Sequence, residues 1–459
     1  MALYYQRTIV LVKNEEICQR DLAVLWHPTT QMKDHEWLQM LPVKSGQGVW
    51  LTDMEGKRYI DAISSWWVNL FGHANPHISA AVSEQASRLE HVIFAGVTHE
   101  PAVRLAETLV ALTPPGLERV FFADSGASAV EICLKMSFHY WRNIGEQGRT
   151  RFVTLSNSYH GDTLGALSVG DAGLFKAAYE PLLMEPLLAP SPDCFALPRE
   201  QWDQHAGSKL ADMREIFVKH EGEISAVIIE PLVQCAGGMR MYPPSYLTGL
   251  RALCDEFRVH LIADEIAVGF GRTGTMFACE QGGISPDFMC LSKGLTGGYL
   301  PMSAVMTSNE VYAAFYDEYT TLRGFLHSHS YTGNALACAA ALATMELFEQ
   351  RDVLADNRRL AAQMLEAVAP LREHEHVGDI RQTGMILAME MVAQREPMIQ
   401  YDWKERRGIK AYQYAMEQGV LLRPIGNVIY FMPPYVINPD EIKLLAKVAM
   451  EGINLATRD

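Results

Sequence analysis

Four short apolar segments in the middle of the chain decide its fold: SAVIIEPLV at 225–233, VHLIADE at 259–265, FMCLSKG at 288–294 and SAVMTS at 303–308. Two earlier segments have the same character, namely ERVFFADSG at 118–126 and RFVTLSNSYHG at 151–161. Helical patterns lie between most of them, for example over 127–141, 210–220 and from 245 onward. Near-continuous apolar strands that alternate with helices are typical of a mostly parallel sheet with helices on both faces. The sequence therefore predicts an α/β fold.

The composition is that of a soluble globular protein. The 459 residues include 39 lysines and arginines against 54 aspartates and glutamates, a net charge of −15 at pH 7, and 49% of them are hydrophobic. This length suggests two or three structural units with a large core. Because the chain is acidic and has no basic cluster, we expect no binding to nucleic acid. No apolar run approaches the ~18 residues of a membrane span, so we expect no membrane association.

The cysteines and the N-terminus favour a cytoplasmic protein. The eight cysteines form no CxxC pair and lie mostly in apolar segments. This distribution favours buried thiols in a reducing compartment over disulfides or metal ligands. The first residues, MALYYQRTIVLVKNEE, have a five-residue apolar core and no small-residue cleavage site, so we predict no signal peptide.

The pattern changes near both ends of the chain. We predict a large domain with the sheet over 71–340 and a smaller α+β domain over 341–459, against which the N-terminal segment 1–70 packs. In that N-terminal segment, VWLTDMEGKRYID at 49–61 predicts a short hairpin.

The C-terminal part has two local signals of its own. VLLRPIGNVIYFMPPYVI at 420–437 predicts a hairpin about Gly426–Asn427. Asn438, followed by Pro439, predicts the start of a last helix.

Chemically capable residues recur at the ends of five predicted strands. These ends read DSG at 124–126, SYHGD at 158–162, EP at 230–231, DE at 264–265 and SKG at 292–294. In open parallel sheets, binding sites lie at the carboxyl ends of the strands. We therefore expect these five segments to line one site.

Lys293 and Asp264 are the pair that suggests a reaction. Lys293 ends an apolar strand, where a buried ammonium has a lowered pKa. It either emerges into solvent or acts as a Schiff-base lysine in a dry pocket. Asp264 also ends a strand and needs a cationic partner, which is either a structural arginine such as Arg272 or a pyridinium nitrogen.

Two further segments complete this set. Ser125, Gly126 and Ala127 lie where a strand meets a helix, so they form an anion site, or Ser125 is an ordinary helix cap. Tyr159 either stacks on a cofactor ring or covers the edge of the sheet. A lysine, an aspartate, a phosphate site and an aromatic ring are together what pyridoxal 5′-phosphate requires.

A glycine pattern offers a competing interpretation. GFGRTG at 269–274 matches the spacing of dinucleotide-binding loops, which would make the chain a nicotinamide-dependent oxidoreductase. However, the preceding strand ends in two carboxylates, which repel a pyrophosphate, and no helical pattern follows. The sequence therefore favours pyridoxal phosphate.

The order of the motifs resembles the class III pyridoxal-phosphate aminotransferases of fold type I. DSG, YHGD, IIEP, ADEI, GFGRTG and SKGLTGG follow one another as in that family, and the resemblance extends from about Leu25 to Ile453. It implies a large domain with a mostly parallel sheet and a smaller domain built from both ends of the chain. It also implies pyridoxal phosphate as cofactor and a homodimer with its site at the subunit interface.

The resemblance gives cofactor roles to individual residues. Lys293 would bind the cofactor covalently and shuttle a proton, and Asp264 would face the pyridine nitrogen. Tyr159 would stack near the ring, and Glu230 would lie at the ring edge and help to gate donor and acceptor. The remaining expected contacts are Ser125, Gly126, Ala127, His160, Ile266 and, from the neighbouring subunit, His329 and Ser330.

Further motifs narrow the resemblance to members that act in biotin synthesis: WHPTTQMKDHE, SSWWVNLFGHANP, ADSGASAVE, AGGMRMY, FLHSHSYTGN and RPIGNVIYFMPPY. They imply transfer of an amino group from S-adenosyl-L-methionine to 8-amino-7-oxononanoate to give 7,8-diaminononanoate, in two half-reactions through pyridoxamine phosphate. Three alternatives remain: an ω-amino acid:pyruvate transaminase, lysine as the donor, and a cofactor-binding protein without activity.

The same motifs imply substrate contacts. Trp66 and Trp67 would line the slot for the aliphatic chain of the acceptor, although taken alone they could be core. Arg423 would bind a substrate carboxylate, unless it forms a structural ion pair. Asp162 and Arg272 would pair near the acceptor amine.

Four positions remain. Tyr430 is a further expected substrate contact, and Ser328 is included without a role. The chain departs from the family at Thr29, where relatives carry an aromatic residue after HP. It also departs at Ala127, where serine is common in the phosphate turn.

Overall fold

The computed structural model describes residues 13–458, except for the side chains of Leu174 and Phe175. The expectation about a signal peptide therefore falls mostly outside the described residues. The strands are β1 (Val43–Gln47), β2 (Trp50–Asp53), β3 (Arg58–Asp61), β4 (Arg119–Ala123), β5 (Arg151–Leu155), β6 (Leu187–Ala189), β7 (Ile224–Ile229), β8 (Val233–Gln234), β9 (Arg240–Met241), β10 (His260–Asp264), β11 (Phe288–Leu291), β12 (Ser303–Thr307), β13 (Val377–Thr383), β14 (Ile386–Gln394), β15 (Ile399–Gln400), β16 (Val420–Leu421) and β17 (Val428–Phe431).

Helices cover this framework. The α-helices are Asn14–Leu22, Pro76–Ala86, Glu100–Leu112, Gly126–Asn143, Leu164–Ser168, Gly173–Lys176, Trp202–Lys219, Pro244–Phe257, Asn309–Ala313, Ala335–Glu349, Val353–Ala367, Arg407–Glu417 and Pro439–Ala456, together with the single turn Ser64–Trp67. Short 3-10 helices are Met32–Glu36, Ala177–Leu182, Arg199–Gln201, Ala278–Gly282, Lys293–Thr296, Tyr319–Thr321, Ala369–Glu373 and Trp403–Glu405.

The central sheet has seven strands in the order β4-β12-β11-β10-β7-β5-β6. Pairing is parallel from β11 through β10, β7 and β5 to β6, and only β12 runs antiparallel to its neighbours β11 and β4. Every residue of β7 and β10 is buried, because helices cover both faces of the sheet. The predicted mostly parallel α/β sheet is therefore confirmed.

Helix boundaries follow the sequence signals at most positions. The helix Gly126–Asn143 has Ser125 as its N-cap, and the side chain of Ser125 accepts a hydrogen bond from the N–H of Ser128. Asn438 caps the last helix and Pro439 stands in its first turn, as predicted. The helix expected from residue 210 instead begins at Trp202, because the pattern before Leu210 is too polar to indicate it.

The predicted hairpin about Gly426–Asn427 is confirmed only as a tight turn, in which Ile425 and Val428 exchange two backbone hydrogen bonds of 3.0 and 2.9 Å. Strand β16 pairs in parallel with β3, whereas β17 pairs with β14 in a different sheet. Between them only Ile425 and Val428 form an isolated bridge. Pro424 lacks the N–H that a longer ladder would need, and the fully buried β17 finds an apolar partner in β14.

The hairpin predicted at 49–61 is confirmed by antiparallel pairing of β2 with β3. Through β16, this N-terminal sheet includes residues from the C-terminal part of the chain. The division into 1–70, 71–340 and 341–459 remains a proposal, which this shared sheet supports.

Two further properties concern the chain as described from 13 to 458. No helix in this range is long and apolar enough to cross a membrane. All eight cysteines are free, and all of them except Cys18 are buried.

Candidate active site

A cavity of about 410 Å³ lies at the carboxyl ends of the sheet strands. All five predicted strand ends line it. From the predicted site it contains Ser125, Gly126, Ala127, Tyr159, His160, Asp162, Glu230, Asp264, Ile266, Lys293 and Trp67. The central sheet thus brings together residues that are up to 168 positions apart, from Ser125 to Lys293, and Trp67 reaches the same cavity from the turn after β3.

The partner of Asp264 is His160. The Asp264 Oδ2 and His160 Nδ1 atoms are 2.7 Å apart, and both side chains are buried. The second carboxylate oxygen accepts the N–H of Ile266 at 3.2 Å. The other ring nitrogen of His160, Nε2, is buried without a hydrogen-bond partner among the described residues. The alternative in which Asp264 pairs with Arg272 does not occur.

Lys293 lines the same cavity as this carboxylate. It follows β11 with φ of 46°, a left-handed conformation that non-glycine residues adopt mainly under structural constraint. Its Nζ lies 4.5 Å from the centre of the Trp67 ring. Burial lowers the pKa of the Lys293 ammonium, and the charge of Arg272 acts in the same direction, whereas Asp264 and Glu230 oppose it.

The opposite end of the cavity offers backbone donors. Because the first N–H groups of a helix have no intrahelical acceptor, those of Gly126 and Ala127 are available to an anion, while Ser125 satisfies Ser128. A Cβ on Gly161 would approach the Cβ of Ala127 at 2.6 Å, so glycine keeps this end open. Ser125 is therefore a helix cap and also lines the cavity.

Tyr159 and Glu230 also line the first cavity. The Tyr159 hydroxyl donates to Asp162 Oδ2 at 2.9 Å, and burial together with Asp162 raises the pKa of Tyr159. Glu230 accepts the N–H of Tyr159 at 3.0 Å and that of Cys235 at 2.9 Å. Burial raises the pKa of Glu230 to about 7; His160 opposes this rise and Asp264 adds to it.

The predicted pair of Asp162 and Arg272 is wrong. Asp162 accepts from Tyr159, as described above, whereas the fully buried Arg272 donates to the carbonyls of Pro433 at 2.8 Å, Asn69 at 3.0 Å and Trp67 at 3.4 Å. The loop after β10 directs Arg272 into the core, where main-chain oxygens are its acceptors.

A second cavity, of about 580 Å³, adjoins the first at Trp67, which lines both. It contains the predicted substrate residues Trp66, Tyr430 and Arg423, and also Thr29. The Trp67 Nε1–H donates to the Tyr430 hydroxyl at 3.0 Å. The Arg423 guanidinium lies 4.5 Å from the Trp66 ring and donates to the Thr29 carbonyl at 3.4 Å.

No carboxylate pairs with Arg423 among residues 13–458. The alternative of a structural ion pair is therefore not realised in the described part of the chain. Trp67 is 4% exposed and belongs to the core, whereas Trp66 is 39% exposed. Trp67 therefore packs in the core and also lines both cavities.

The segment predicted to reach a neighbouring subunit lies outside both cavities. His329 Nδ1 is 3.5 Å from Asp124 Oδ2 of the same chain, and the Ser330 carbonyl accepts from His91 at 2.8 Å. Ser328 is exposed. Their role toward a partner remains a prediction.

Sequence reasoning missed several residues that the structure places at the cavities. Thr163, Ala267 and Val268 line the first cavity, and Tyr412 and Arg406 line the second. Tyr412 belongs to a helix whose pattern gave no functional signal. Asp61, which ends β3 just before the twin tryptophans, lines neither cavity, and the rule that revealed Asp264 concerns the central parallel sheet, to which β3 does not belong.

Pyridoxal phosphate fits the first cavity. The open helix N-terminus beside Gly161 suits a phosphate, and the Asp264–His160 pair suits a pyridinium. Lys293 lines the same cavity with its amine beside the Trp67 ring. The orphaned Nε2 of His160 adds a buried polar atom that a polar ligand can satisfy.

Comparison with known proteins agrees with this geometry. Residues 31–452 match the family model "Aminotransferase class-III", and the chain belongs to this family. It is similar to the adenosylmethionine-8-amino-7-oxononanoate aminotransferase of Geobacter sulfurreducens, with 44% identity over 95% of this chain and 97% of the relative.

Solved structures give the same result. The crystal structure of adenosylmethionine-8-amino-7-oxononanoate aminotransferase from Methanocaldococcus jannaschii superposes with a TM-score of 0.91 at 38% identity, covering 96% of this chain and 99% of that one. An ω-transaminase from Pseudomonas jessenii, solved in complex with PMP, has a TM-score of 0.91 at 28% identity, with 96% and 98% coverage. The fold is therefore that of class III aminotransferases.

The raised pKa of Glu230 predicts a specific pH dependence of stability. Between its ordinary value of 4.5 and about 7, the folded state keeps a proton that the unfolded state loses, so this contribution to stability falls as pH rises. In cofactor-free protein, we expect Glu230→Gln to gain on the order of 2–3 kcal/mol over the wild type between pH 5 and 8. Chemical unfolding at several pH values measures this difference. The exposed control Glu200→Gln should show no such trend, and parallel curves for Glu230→Gln and wild type would contradict the assignment.

Proposed function

We propose that this chain transfers an amino group from S-adenosyl-L-methionine to 8-amino-7-oxononanoate, with pyridoxal 5′-phosphate as cofactor. The observation that carries the proposal is the pair of adjoining cavities: Lys293 and Asp264 line the inner one, Arg423 lines the outer one, and Trp67 lines both. This arrangement suits a substrate with a reacting centre at one end and a carboxylate at the other. The similarity to the Geobacter and Methanocaldococcus enzymes supports the choice of substrates.

The inner cavity supplies the groups that the cofactor needs. When bound, pyridoxal phosphate condenses with an amine and withdraws electrons from the adjacent carbon, which makes its C–H bond acidic. The Asp264 carboxylate would keep the pyridine nitrogen protonated, and His160 fixes that carboxylate through its 2.7 Å hydrogen bond. The N–H groups of Gly126 and Ala127 would hold the phosphate, and Tyr159 would cover the ring.

Lys293 is the group that binds the cofactor and moves the proton. Because burial lowers its pKa, more of the amine is neutral near neutral pH than for an exposed lysine. The neutral Nζ can take the proton from the substrate carbon and return it to the neighbouring cofactor atom. The Trp67 ring beside Nζ limits the positions that the amine samples and excludes water from it.

The outer cavity supplies recognition. Arg423 presents its guanidinium over Trp66 without a carboxylate partner of its own, so it can bind a substrate carboxylate through two parallel hydrogen bonds. The indoles of Trp66 and Trp67 offer an apolar wall to an unbranched chain. Tyr430, whose hydroxyl accepts from Trp67, adds a polar atom at the same wall.

We further propose a homodimer with its site at the subunit interface. Large apolar side chains between 316 and 331 are exposed, namely Tyr316, Tyr319, Leu322, Leu326 and Tyr331. Exposed large apolar side chains concentrated in one segment are typical of a protein interface. His329 and Ser330 belong to this segment, and we propose that they reach the phosphate site of the partner subunit. Free, mostly buried cysteines favour a cytoplasmic location.

Lysine is the second candidate donor. Thr29 lines the outer cavity, and its carbonyl contacts Arg423; the resemblance implies that many members have an aromatic residue at this position. The smaller side chain leaves room that a different donor can use.

The function is tested by separate half-reactions. The holoenzyme, mixed with S-adenosyl-L-methionine alone, should show a change in cofactor absorbance that 8-amino-7-oxononanoate then reverses. A parallel titration with lysine decides the donor. If pyruvate reverses the change with a higher kcat/KM than 8-amino-7-oxononanoate, the ω-amino acid:pyruvate alternative is correct instead.

Lys293 should be the residue that carries the cofactor. Borohydride reduction of the yellow holoenzyme followed by peptide mapping should locate the cofactor on Lys293, because this amine lies in the cavity with a lowered pKa. Lys293→Ala should lose turnover, whereas Lys443→Ala on the surface should not. A label on another lysine, or normal turnover by Lys293→Ala, would remove this role.

Arg423→Ala should reduce kcat/KM about 10- to 150-fold, since a hydrogen bond to a charged group contributes ~1.5–3 kcal/mol. Arg423→Lys keeps the charge but loses the bidentate geometry, so we expect an intermediate loss. The control Arg214→Ala removes an exposed ion pair with Glu256 and should leave kcat/KM unchanged. Steady-state kinetics with both substrates measure these effects, and an unchanged value for Arg423→Ala contradicts the assignment.

A further inference from the structure

Residues 64–67 adopt an unusual backbone next to the proposed substrate site. Ser64, Ser65, Trp66 and Trp67 have φ values of 51°, 47°, 73° and 72°. None of these residues is glycine, and consecutive left-handed L-residues are unfavourable because Cβ crowds the following carbonyl oxygen. Contacts elsewhere in the fold must therefore hold this left-handed turn.

The carboxylate of Asp61 provides the main contacts. Asp61 ends β3 and is fully buried. It accepts the N–H of Ser65 at 2.9 Å, the hydroxyl of Ser65 at 2.7 Å and the N–H of Ile63 at 3.3 Å. Two of these donors belong to a residue inside the turn, so the carboxylate stabilises the left-handed conformation directly.

His73 orients the carboxylate. Its Nε2 lies 2.9 Å from Asp61 Oδ2, and its Nδ1 lies 3.3 Å from Asn69 Nδ2. The ring therefore bridges the carboxylate and the Asn69 side chain. The main chain of His73 exchanges two hydrogen bonds with Gly48, at 2.7 and 3.0 Å, which fixes the ring relative to the N-terminal sheet.

The far side of the turn is also tied to the fold. The Ser64 hydroxyl donates to the Met432 carbonyl at 2.8 Å. Arg272 reaches the Trp67 carbonyl, and Tyr430 accepts from the Trp67 indole. Asp61 and His73 therefore act on one side of the turn, and the segment around 430–433 acts on the other.

The turn distributes two neighbouring indoles between the two cavities. Trp67 lines both cavities, and Lys293 Nζ lies 4.5 Å from the centre of its ring. Trp66 lines only the outer cavity, and the Arg423 guanidinium lies 4.5 Å from the centre of its ring. Each ring thus lies against the cation to which the proposed function gives a role. A relaxed turn would move both rings relative to these cations.

We propose that Asp61 and His73 are a positioning pair that holds residues 64–67 in the left-handed turn and so sets the indole wall for the acceptor. The inference rests on the proposed function. The acceptor should be more sensitive than the donor, because only the acceptor has an unbranched aliphatic chain to lie along the indoles. Neither residue touches the substrate in this scheme; both act through Trp66 and Trp67.

The test compares half-reactions in four variants. We expect Asp61→Asn and His73→Ala to lower kcat/KM for 8-amino-7-oxononanoate at least tenfold and to change the donor half-reaction less than threefold. His73→Gln should restore most of the loss that His73→Ala causes, because its amide N–H can replace the Nε2 donor. The matched control is Asp53→Asn: Asp53 is equally buried and accepts the N–H groups of Glu55 and Lys57 in the same sheet, but does not contact the turn. It should lower thermal stability without changing the ratio of the half-reactions.

Coupling to Trp66 separates positioning from general stability. In the Trp66→Ala background, Asp61→Asn should lose most of its effect on the acceptor half-reaction, since the wall is already removed. The proposal is overturned if the losses in kcat/KM caused by Asp61→Asn and by Trp66→Ala multiply in the double variant. It is also overturned if Asp61→Asn lowers both half-reactions equally. If Asp61→Asn does not fold, His73→Ala and His73→Gln test the proposal through the ratio of kcat/KM in the acceptor and donor half-reactions.

A structural readout is independent of the proposed function. Crystal structures of Asp61→Asn or His73→Ala should show residues 64–67 outside the left-handed region or with displaced indoles. An unchanged turn in both variants overturns the inference even if the enzyme is inactive. Failure of the wild-type donor half-reaction, in contrast, counts against the proposed function alone.

Discussion

An amine and a carboxylate line one cavity at the carboxyl ends of the sheet strands, and the rest of the site depends on this arrangement. Removing charges from water is costly, so each needs a compensating partner. Asp264 has His160 at 2.7 Å and the N–H of Ile266 at 3.2 Å, so its carboxylate is held in place to face a ring nitrogen. Lys293 receives no hydrogen-bonded anion of its own in the described chain, and its pKa falls. The site therefore combines a carboxylate that hydrogen bonds hold in place, Asp264, with an amine that can exchange a proton, Lys293.

The parallel sheet makes this combination possible. Strands β7, β10 and β11 are buried on both faces, and their carboxyl ends place Glu230, Asp264 and Lys293 side by side. The antiparallel β12 and the edge strand β4 add the start of the helix Gly126–Asn143, whose free N–H groups attract an anion. One end of the cavity therefore suits a phosphate and the other a pyridinium, before any substrate residue is considered.

Much of this was predictable because it depends on local patterns. Apolar strands and the polar residues at their ends indicate both the sheet and the residues that converge at its edge, so Lys293, Asp264, Glu230 and Tyr159 could be found from sequence. Contacts of long side chains were not predictable in this way. Arg272 was expected beside Asp162, but its direction depends on the loop after β10, and the alternation that suggested a hairpin at 426–427 does not reveal that β16 and β17 have better partners in separate sheets. The left-handed turn was equally invisible, since its sequence contains no glycine.

Arg272 connects the turn with the reacting group. Its guanidinium is fully buried, has no carboxylate partner in the described chain, and donates to the carbonyls of Trp67, Asn69 and Pro433. It also lies over the Tyr435 ring, at 5.0 Å from the ring centre. A buried cation without an ion-pair partner keeps more of its field than one neutralised by an acid. That field acts on Lys293 and lowers its pKa further. Burial is the main cause of the lowered pKa of Lys293, and Arg272, which also donates to the Trp67 carbonyl, adds to it. One side chain therefore contacts the substrate wall and also favours the neutral amine beside that wall.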